Sequence, residues 1–189
     1  LTFHSADFQA PGEVRHTNKG PTYLGELDRN KTPRLEMIRS VMERAGMQPQ
    51  VEDDIIATIW GKFVLNCSIN PLCAIADLRP GHIREVEAFD EFQSKIIEEV
   101  LALIEAKGVV LADPDPLATI KAYSAKKFHR VSMQQHLLRE RPTEIDSLNG
   151  YVARESERLG LKAPYNDALT RIVKGRQYQP EGEREHIPE

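Results

Sequence analysis

Apolar residues follow two different rhythms along the chain, and the change between them divides it. Up to about Leu27 they come in short runs, Leu1-Thr2-Phe3, Glu13-Val14-Arg15-His16 and Thr22-Tyr23-Leu24-Gly25, which predict short strands. Asn18-Lys19-Gly20-Pro21 is a turn sequence that predicts a hairpin from the last two of them. Short strands with no helix to cover them cannot make a domain, so this stretch is expected to be the end of a larger sheet. From Pro33 the period changes. Leu35, Ile38, Val41, Met42 and Ala45 fall at helical spacing and Gly46 supplies a stop, while Met47 to Val51 predicts one more short strand returning to the sheet.

The stretch Asp53 to Leu72, DDIIATIWGKFVLNCSINPL, predicts a helix that is apolar on most of its circumference, through Ile55, Ile56, Ile59, Phe63, Val64 and Ile69. Asp53 or Asp54 is suited to cap its positive end. Asn70 precedes Pro71, which disfavours helical geometry at the residue before it, so a helix end is expected there. Lys62, Asn66 and Asn70 stand at i, i+4 and i+8 and therefore share one face. Such a row could be a solvated stripe. The apolar flanks leave little room for a wide wet face, however, and Asn66 is a poor helix former with no cap or turn to explain it. Burying an amide without a partner costs on the order of 2–7 kcal/mol, so the row must face polar groups, water or a ligand. It is expected to be one wall of a binding site.

Beyond Pro71 the pattern is helical almost throughout. Arg84 to Lys107 carries Val86, Phe89, Phe92, Ile96, Ile97, Val100, Leu101 and Ile104 on one side and closes at Gly108. Asp113-Pro114-Asp115-Pro116 starts a helix expected to reach about Lys127. Thr143 and Asp146 have capping-box spacing for a helix over Glu144 to Leu159 that ends at Gly160. A last short helix is expected over Asn166 to Lys174, followed by a polar, frayed tail from Gln177.

Composition narrows the function classes. A length of 189 residues is enough for a real core, and 40% hydrophobic with 29% charged residues describes a soluble protein, expected to be cytoplasmic. A formal net charge of -4 argues against a nucleic-acid surface. No continuous apolar run approaches the roughly 18 residues of a membrane span. Cys67 and Cys73 lie in or beside the apolar helix, away from any metal-ligand spacing, and are expected to be buried thiols rather than a disulfide or a zinc site.

With these pieces placed, the chain resembles the ketopantoate reductase (2-dehydropantoate 2-reductase) family. The residues that carry the likeness are Trp60-x-Lys62-x-x-x-Asn66-x-x-x-Asn70-Pro71-Leu72, then Ser132-Met133, then Arg141-Pro142-Thr143-Glu144-Ile145-Asp146-x-x-Asn149-Gly150, and finally Pro164-x-Asn166-x-x-Leu169. Pro11-Gly12-x-Val14-x-His16, Gly20 and Gly25-Glu26 look like the last strands of its nucleotide-binding domain. The resemblance implies a mainly α fold: residues 1–50 as a β remnant of an NADP-binding Rossmann-type domain, and residues 51–189 as an all-helical C-terminal substrate domain. It implies NADP-dependent reduction of a small 2-oxo acid, ketopantoate to pantoate, on the route to pantothenate and coenzyme A. By position Lys62 matches the catalytic lysine, Asn66, Asn70 and Ser132 the substrate-binding residues, Glu144 an acid near substrate and nicotinamide ribose, and Ala6 a cofactor contact. An ammonium, with a reference pKa of about 10.4, suits the task of stabilising and then protonating the carbonyl oxygen. The amides and the hydroxyl can donate to a carboxylate without adding charge.

Other positions depart from the family pattern. Pro80 stands where an asparagine usually meets substrate, His129 where some members have another, and His136 where an aspartate commonly follows the Ser-Met segment. Without the resemblance, Ser132 is a locally bonded serine and Glu144 a first-turn acid. No G-x-G-x-x-G spacing occurs among the glycines, so the chain is expected to hold the substrate half of an enzyme, to bind NADPH poorly by itself, and to self-associate through the uncovered N-terminal sheet remnant. The competing expectations are a helical binding or dimerisation module without catalysis, and a reductase for a different 2-oxo acid.

Overall fold

The chain first reverses at Pro11-Gly12, where Gly12 takes a φ of +81° that a side chain would resist. In the computed structural model, which describes residues 1–178, that turn makes the N-terminal hairpin. Strand β1 (Ser5–Ala10) pairs antiparallel with β2 (Glu13–Asn18), Phe8 opposite Val14 and Asp7 opposite Arg15. The hairpin expected between β2 and the next strand is therefore incorrect. The Asn18–Pro21 segment serves Leu1–Phe3 instead: Phe3 N donates to the Pro21 carbonyl at 2.9 Å and Asn18 Nδ2 to the Phe3 carbonyl at 3.1 Å. Leu1–Phe3 is accordingly an isolated bridge, Thr2 opposite Thr22, rather than the short strand expected there.

Strand β3 (Thr22–Leu24) pairs in parallel with β4 (Pro49–Val51), the short strand expected near Met47 to Val51. Parallel strands need a crossover, and helix α1 (Pro33–Arg44) provides it. Thr32 caps α1 by accepting the Leu35 N–H at 3.1 Å, Pro33 occupies its first turn, and Gly46 follows its end with φ +81°. These elements belong to a first unit, Leu1–Trp60, and a second begins at Gly61. The boundary falls inside helix α2 (Ile55–Ala76).

Asp54 caps α2, its Oδ1 accepting the Ala57 N–H at 3.1 Å, and this bond holds its carboxyl below the usual range. The helix does not stop before Pro71. It runs on to Ala76, so Asn70 is an interior residue. Proline has no N–H to give to the carbonyl one turn back, that of Cys67. Asn149 Nδ2 bonds this carbonyl instead, at 3.0 Å. By length and composition α2 could cross a membrane, yet half of its apolar window is buried inside the fold, the pattern of a core helix.

The second unit continues with α3 (Pro80–Ile83), α4 (Glu87–Ala106), α5 (Pro116–Ser124), α6 (Ser132–Leu138), α7 (Asn149–Arg158) and α8 (Pro164–Gln177). The protein is mainly α. Its core is built from Val64, Leu72, Ile96, Ile97, Val100, Leu103, Met133, Val152, Leu169 and Val173, all fully buried. Cys67 and Cys73 are free and buried, and burial raises both thiol pKa values, that of Cys73 to about 12. Helix α4 starts after the α3 turn rather than at Arg84, and it ends before Gly108 at φ +68°. Helix α5 stops at Ser124, short of Lys127.

The helix expected over Glu144 to Leu159 starts only at Asn149. Residues 145–148 form turns, with Leu148 at ψ -102°. Thr143 Oγ1 accepts from Ile145 N rather than three residues on, and Asp146 pairs with Lys174 at 3.2 Å instead of completing a capping box. The cause is tertiary, because Ile145 is drawn into a buried cluster with Ala74, Met133 and Val173. Most of the polar tail expected from Gln177 lies outside the described residues.

Candidate functional site

Helix α2 carries the candidate row into the second unit. Lys62 and Asn66 are half-buried and Asn70 is buried, while Val64, Cys67, Ile69 and Leu72 on other faces are buried in the core. At about 1.5 Å rise per residue, the row extends roughly 12 Å along the helix. Partial desolvation lowers the pKa of Lys62, because burial penalises the ammonium. A lysine so placed gives up its proton more readily than one in water.

The other candidates sit on segments anchored to the end of this helix. Ser132 opens α6 and is exposed, and its neighbour Met133 lies in the cluster with Ala74, one turn beyond Asn70. Glu144 is exposed in the turn before α7, and its neighbour Ile145 joins the same cluster. The Glu144 carbonyl accepts the N–H groups of Ser147 and Leu148, both at 3.0 Å, which leaves its carboxylate out of the local turn bonds. Buried Gln134 ties α6 to the end of α2, donating to Asp77 Oδ1 and accepting from Arg79 Nη1 at 3.4 Å. Thus the cluster gathers the backbones next to Asn70, Ser132 and Glu144. Ala6 belongs to β1 of the first unit, where it is exposed and stands opposite His16 in the ladder.

Two of the positions that depart from the family pattern, Pro80 and His129, lie on segments that touch each other. Pro80 opens α3, Gly81 N donates to the Lys127 carbonyl at 2.8 Å, and the His82 and Phe128 rings meet tilted at 60° with centroids 5.4 Å apart. A Cβ on Gly81 would lie 2.5 Å from the Phe128 ring, so glycine alone admits this approach. The segments bearing Pro80 and His129 are therefore in register with each other. His136 is half-buried on α6. A separate surface pocket, lined by Leu137, Glu140, Arg141, Pro142, Arg176 and Gln177, contains none of the candidate residues.

One residue of the family motif has a role that spacing did not reveal. Asn149 is fully buried, and its Nδ2 donates both to the Cys67 carbonyl and to Asn166 Oδ1, at 3.0 and 2.9 Å. Asn166 Nδ2 in turn donates to Glu99 Oε2 at 2.7 Å. The same carboxylate accepts the N–H groups of Tyr165 and Asn166 at the start of α8. A network through α2, α4, α7 and α8 leaves no mark in apolar periodicity, because half of its partners are backbone groups.

Residues 54–177 match the family described as ketopantoate reductase PanE/ApbA C terminal. The chain is 28% identical over 175 residues to the 2-dehydropantoate 2-reductase of Archaeoglobus fulgidus, covering 93% of this chain and 59% of that protein. Its structure is similar to that of a PanE/ApbA family ketopantoate reductase from Ralstonia eutropha JMP134, with a TM-score of 0.86 at 28% identity over 94% of this chain and 58% of the other. It is also similar to D-mandelate dehydrogenase in complex with NADH, with a TM-score of 0.83 at 25% identity over 93% and 60% of the two chains. The chain thus spans about three-fifths of the length of the relatives it matches.

Proposed function

Because the chain belongs to the ketopantoate reductase C-terminal family, we propose that it supplies the substrate-binding and catalytic half of an NADP-dependent reductase of a small 2-oxo acid, of the ketopantoate-to-pantoate type. The observation that carries the reading is the polar row on α2, with Lys62 and Asn66 half-buried and Asn70 buried, in a helix that also sends Val64, Cys67, Ile69 and Leu72 into the core. Reduction of the keto carbon leaves negative charge on its oxygen. The Lys62 ammonium stabilises that oxygen and delivers the proton, and its lowered pKa favours release. The Asn66 and Asn70 amides and the Ser132 hydroxyl hold the substrate carboxylate by hydrogen bonds, and Glu144 orients substrate and nicotinamide ribose. Ala6 is assigned to the cofactor side by the resemblance.

Among the described residues no closely spaced glycines offer a cradle for a dinucleotide. A pyrophosphate needs closely spaced glycines that bring backbone amides to it, and no such spacing occurs here. The nicotinamide cofactor is accordingly assigned to the intact protein, and the 189-residue chain alone is not expected to hold NADPH. In steady-state kinetics of the intact protein with NADPH and ketopantoate, Lys62→Ala should lower kcat by roughly 10² or more, the scale of general acid catalysis. Asn66→Ala should act mainly through KM. A Lys62→Ala enzyme with near-normal kcat would refute the assignment. A related reductase with another 2-oxo acid as substrate is favoured by one observation, the contact between the segments that carry Pro80 and His129.

A further inference from the structure

We infer that Asn149 is a positioning residue for the α2 row: its side chain replaces the main-chain hydrogen bond that Pro71 deletes, and so fixes the helical turn that carries Lys62 and Asn66. The inference rests on the proposed function for the meaning of that row, but the bond itself does not. In an unbroken helix the N–H of residue 71 would bond the carbonyl of residue 67. Pro71 has none, and a buried carbonyl without a partner would let α2 bend or admit water. Asn149 Nδ2 reaches this carbonyl at 3.0 Å from a residue 82 positions away.

The amide is held in the orientation the bond requires. Glu99 is an acceptor only, so it takes the Nδ2 of Asn166 and turns the Asn166 Oδ1 toward Asn149. Asn149 must then present its own Nδ2 both to Asn166 and to Cys67. Helix α7 grips α2 at a second point, one turn earlier. The Tyr151 and Phe63 rings meet edge to face, their centroids 5.8 Å apart at 87°. Cys67 follows Asn66 and Phe63 follows Lys62. The two gripped residues are therefore the immediate neighbours of the two that face substrate in the proposed site. Displacements of about 1 Å at a reacting group can cost about 10² in rate, so this anchoring bears on turnover as well as on stability.

The test compares Asn149→Ala, Pro71→Ala and the double variant of the intact natural protein, with the cysteine carbonyls carrying carbon-13. Asn149→Ala should move the Cys67 carbonyl resonance and lower kcat/KM about tenfold or more in folded protein. Pro71→Ala restores a main-chain N–H opposite Cys67, so the double variant should recover kcat/KM to within about threefold of the parent. A resonance unmoved by Asn149→Ala would overturn the inference, as would a moved resonance with unchanged kcat/KM. If Asn149→Ala alone does not fold, a double variant that folds and turns over upholds the inference, and one that fails with it overturns the inference. A parent protein that reduces no 2-oxo acid would defeat the proposed function alone, and the carbonyl resonance and its restoration would still decide the bond.

Discussion

Glu155 illustrates how single side chains couple the stability of the helical unit to pH. Its carboxylate accepts from Arg158 at 2.9 Å and from Lys107 at 2.6 Å, and the Lys107 ammonium also lies 5.5 Å from the centre of the Tyr151 ring. The Arg158 hydrogen bonds first, and the Lys107 bond next, hold its pKa at about 2 against an ordinary value of 4.5. A carboxyl depressed in the folded state stabilises the fold above its unfolded value, and that contribution is lost as pH falls from about 4.5 toward 2. Urea midpoints measured across that window should fall more steeply for the parent than for Glu155→Gln. Parallel slopes would show that the pair contributes nothing to the folded state.

At the scale of elements, the contact between α3 and the segment after α5 has a consequence for specificity. Gly81 can lie under Phe128 only because it has no Cβ, and this approach sets Pro80 and His129, two positions without an amide side chain, on adjoining segments. A panel of 2-oxo acids assayed with the intact protein should therefore include one reduced with kcat/KM comparable to or above that of ketopantoate. Clear preference for ketopantoate across the panel would count against a role for these two positions. Helices were more legible in the chain than their ends. The period of apolar residues revealed α1, α2 and α4, with a long buried stripe in α2 and α4 and with Leu35 alone buried in α1, and Gly46 and Gly108 marked two of the stops. Strand β1 leaves no apolar alternation in the chain, because SADFQA has Phe8 as its only large apolar residue and that residue is itself exposed. The start of α7 and the passage of α2 through Pro71 depart from the local pattern for one physical reason. Local preferences were overruled by partners far along the chain, the Ala74, Met133 and Val173 cluster for Ile145 and the Asn149 amide for Cys67. The Lys62, Asn66 and Asn70 row was legible from spacing alone, whereas Ser132, Glu144 and Ala6 were singled out only through the family likeness.

At the scale of the molecule, the first unit presents apolar surface out of proportion to its size. Phe8 and Val14 face each other across the hairpin at 54% and 65% exposure, and Met37, Ile38 and Val41 form an exposed stripe on α1. A short hairpin with open edges and such a face tends to pair with a second copy of itself. Light scattering of the 189-residue chain should therefore report a dimer or larger species that Phe8→Ser with Val14→Thr returns to monomer, and a monomer at high concentration would contradict this. The Pro71 and Asn149 pair also bears on the history open to the molecule. If Pro71 were exchanged first, the helix would regain its own main-chain bond and Asn149 would be released from one of its two duties. If Asn149 changed first, the Cys67 carbonyl would be stranded in the core at once. Sequence drift at these positions is therefore directional: the route out of the pair passes through residue 71, and a lineage that keeps the proline keeps its amide partner under constraint.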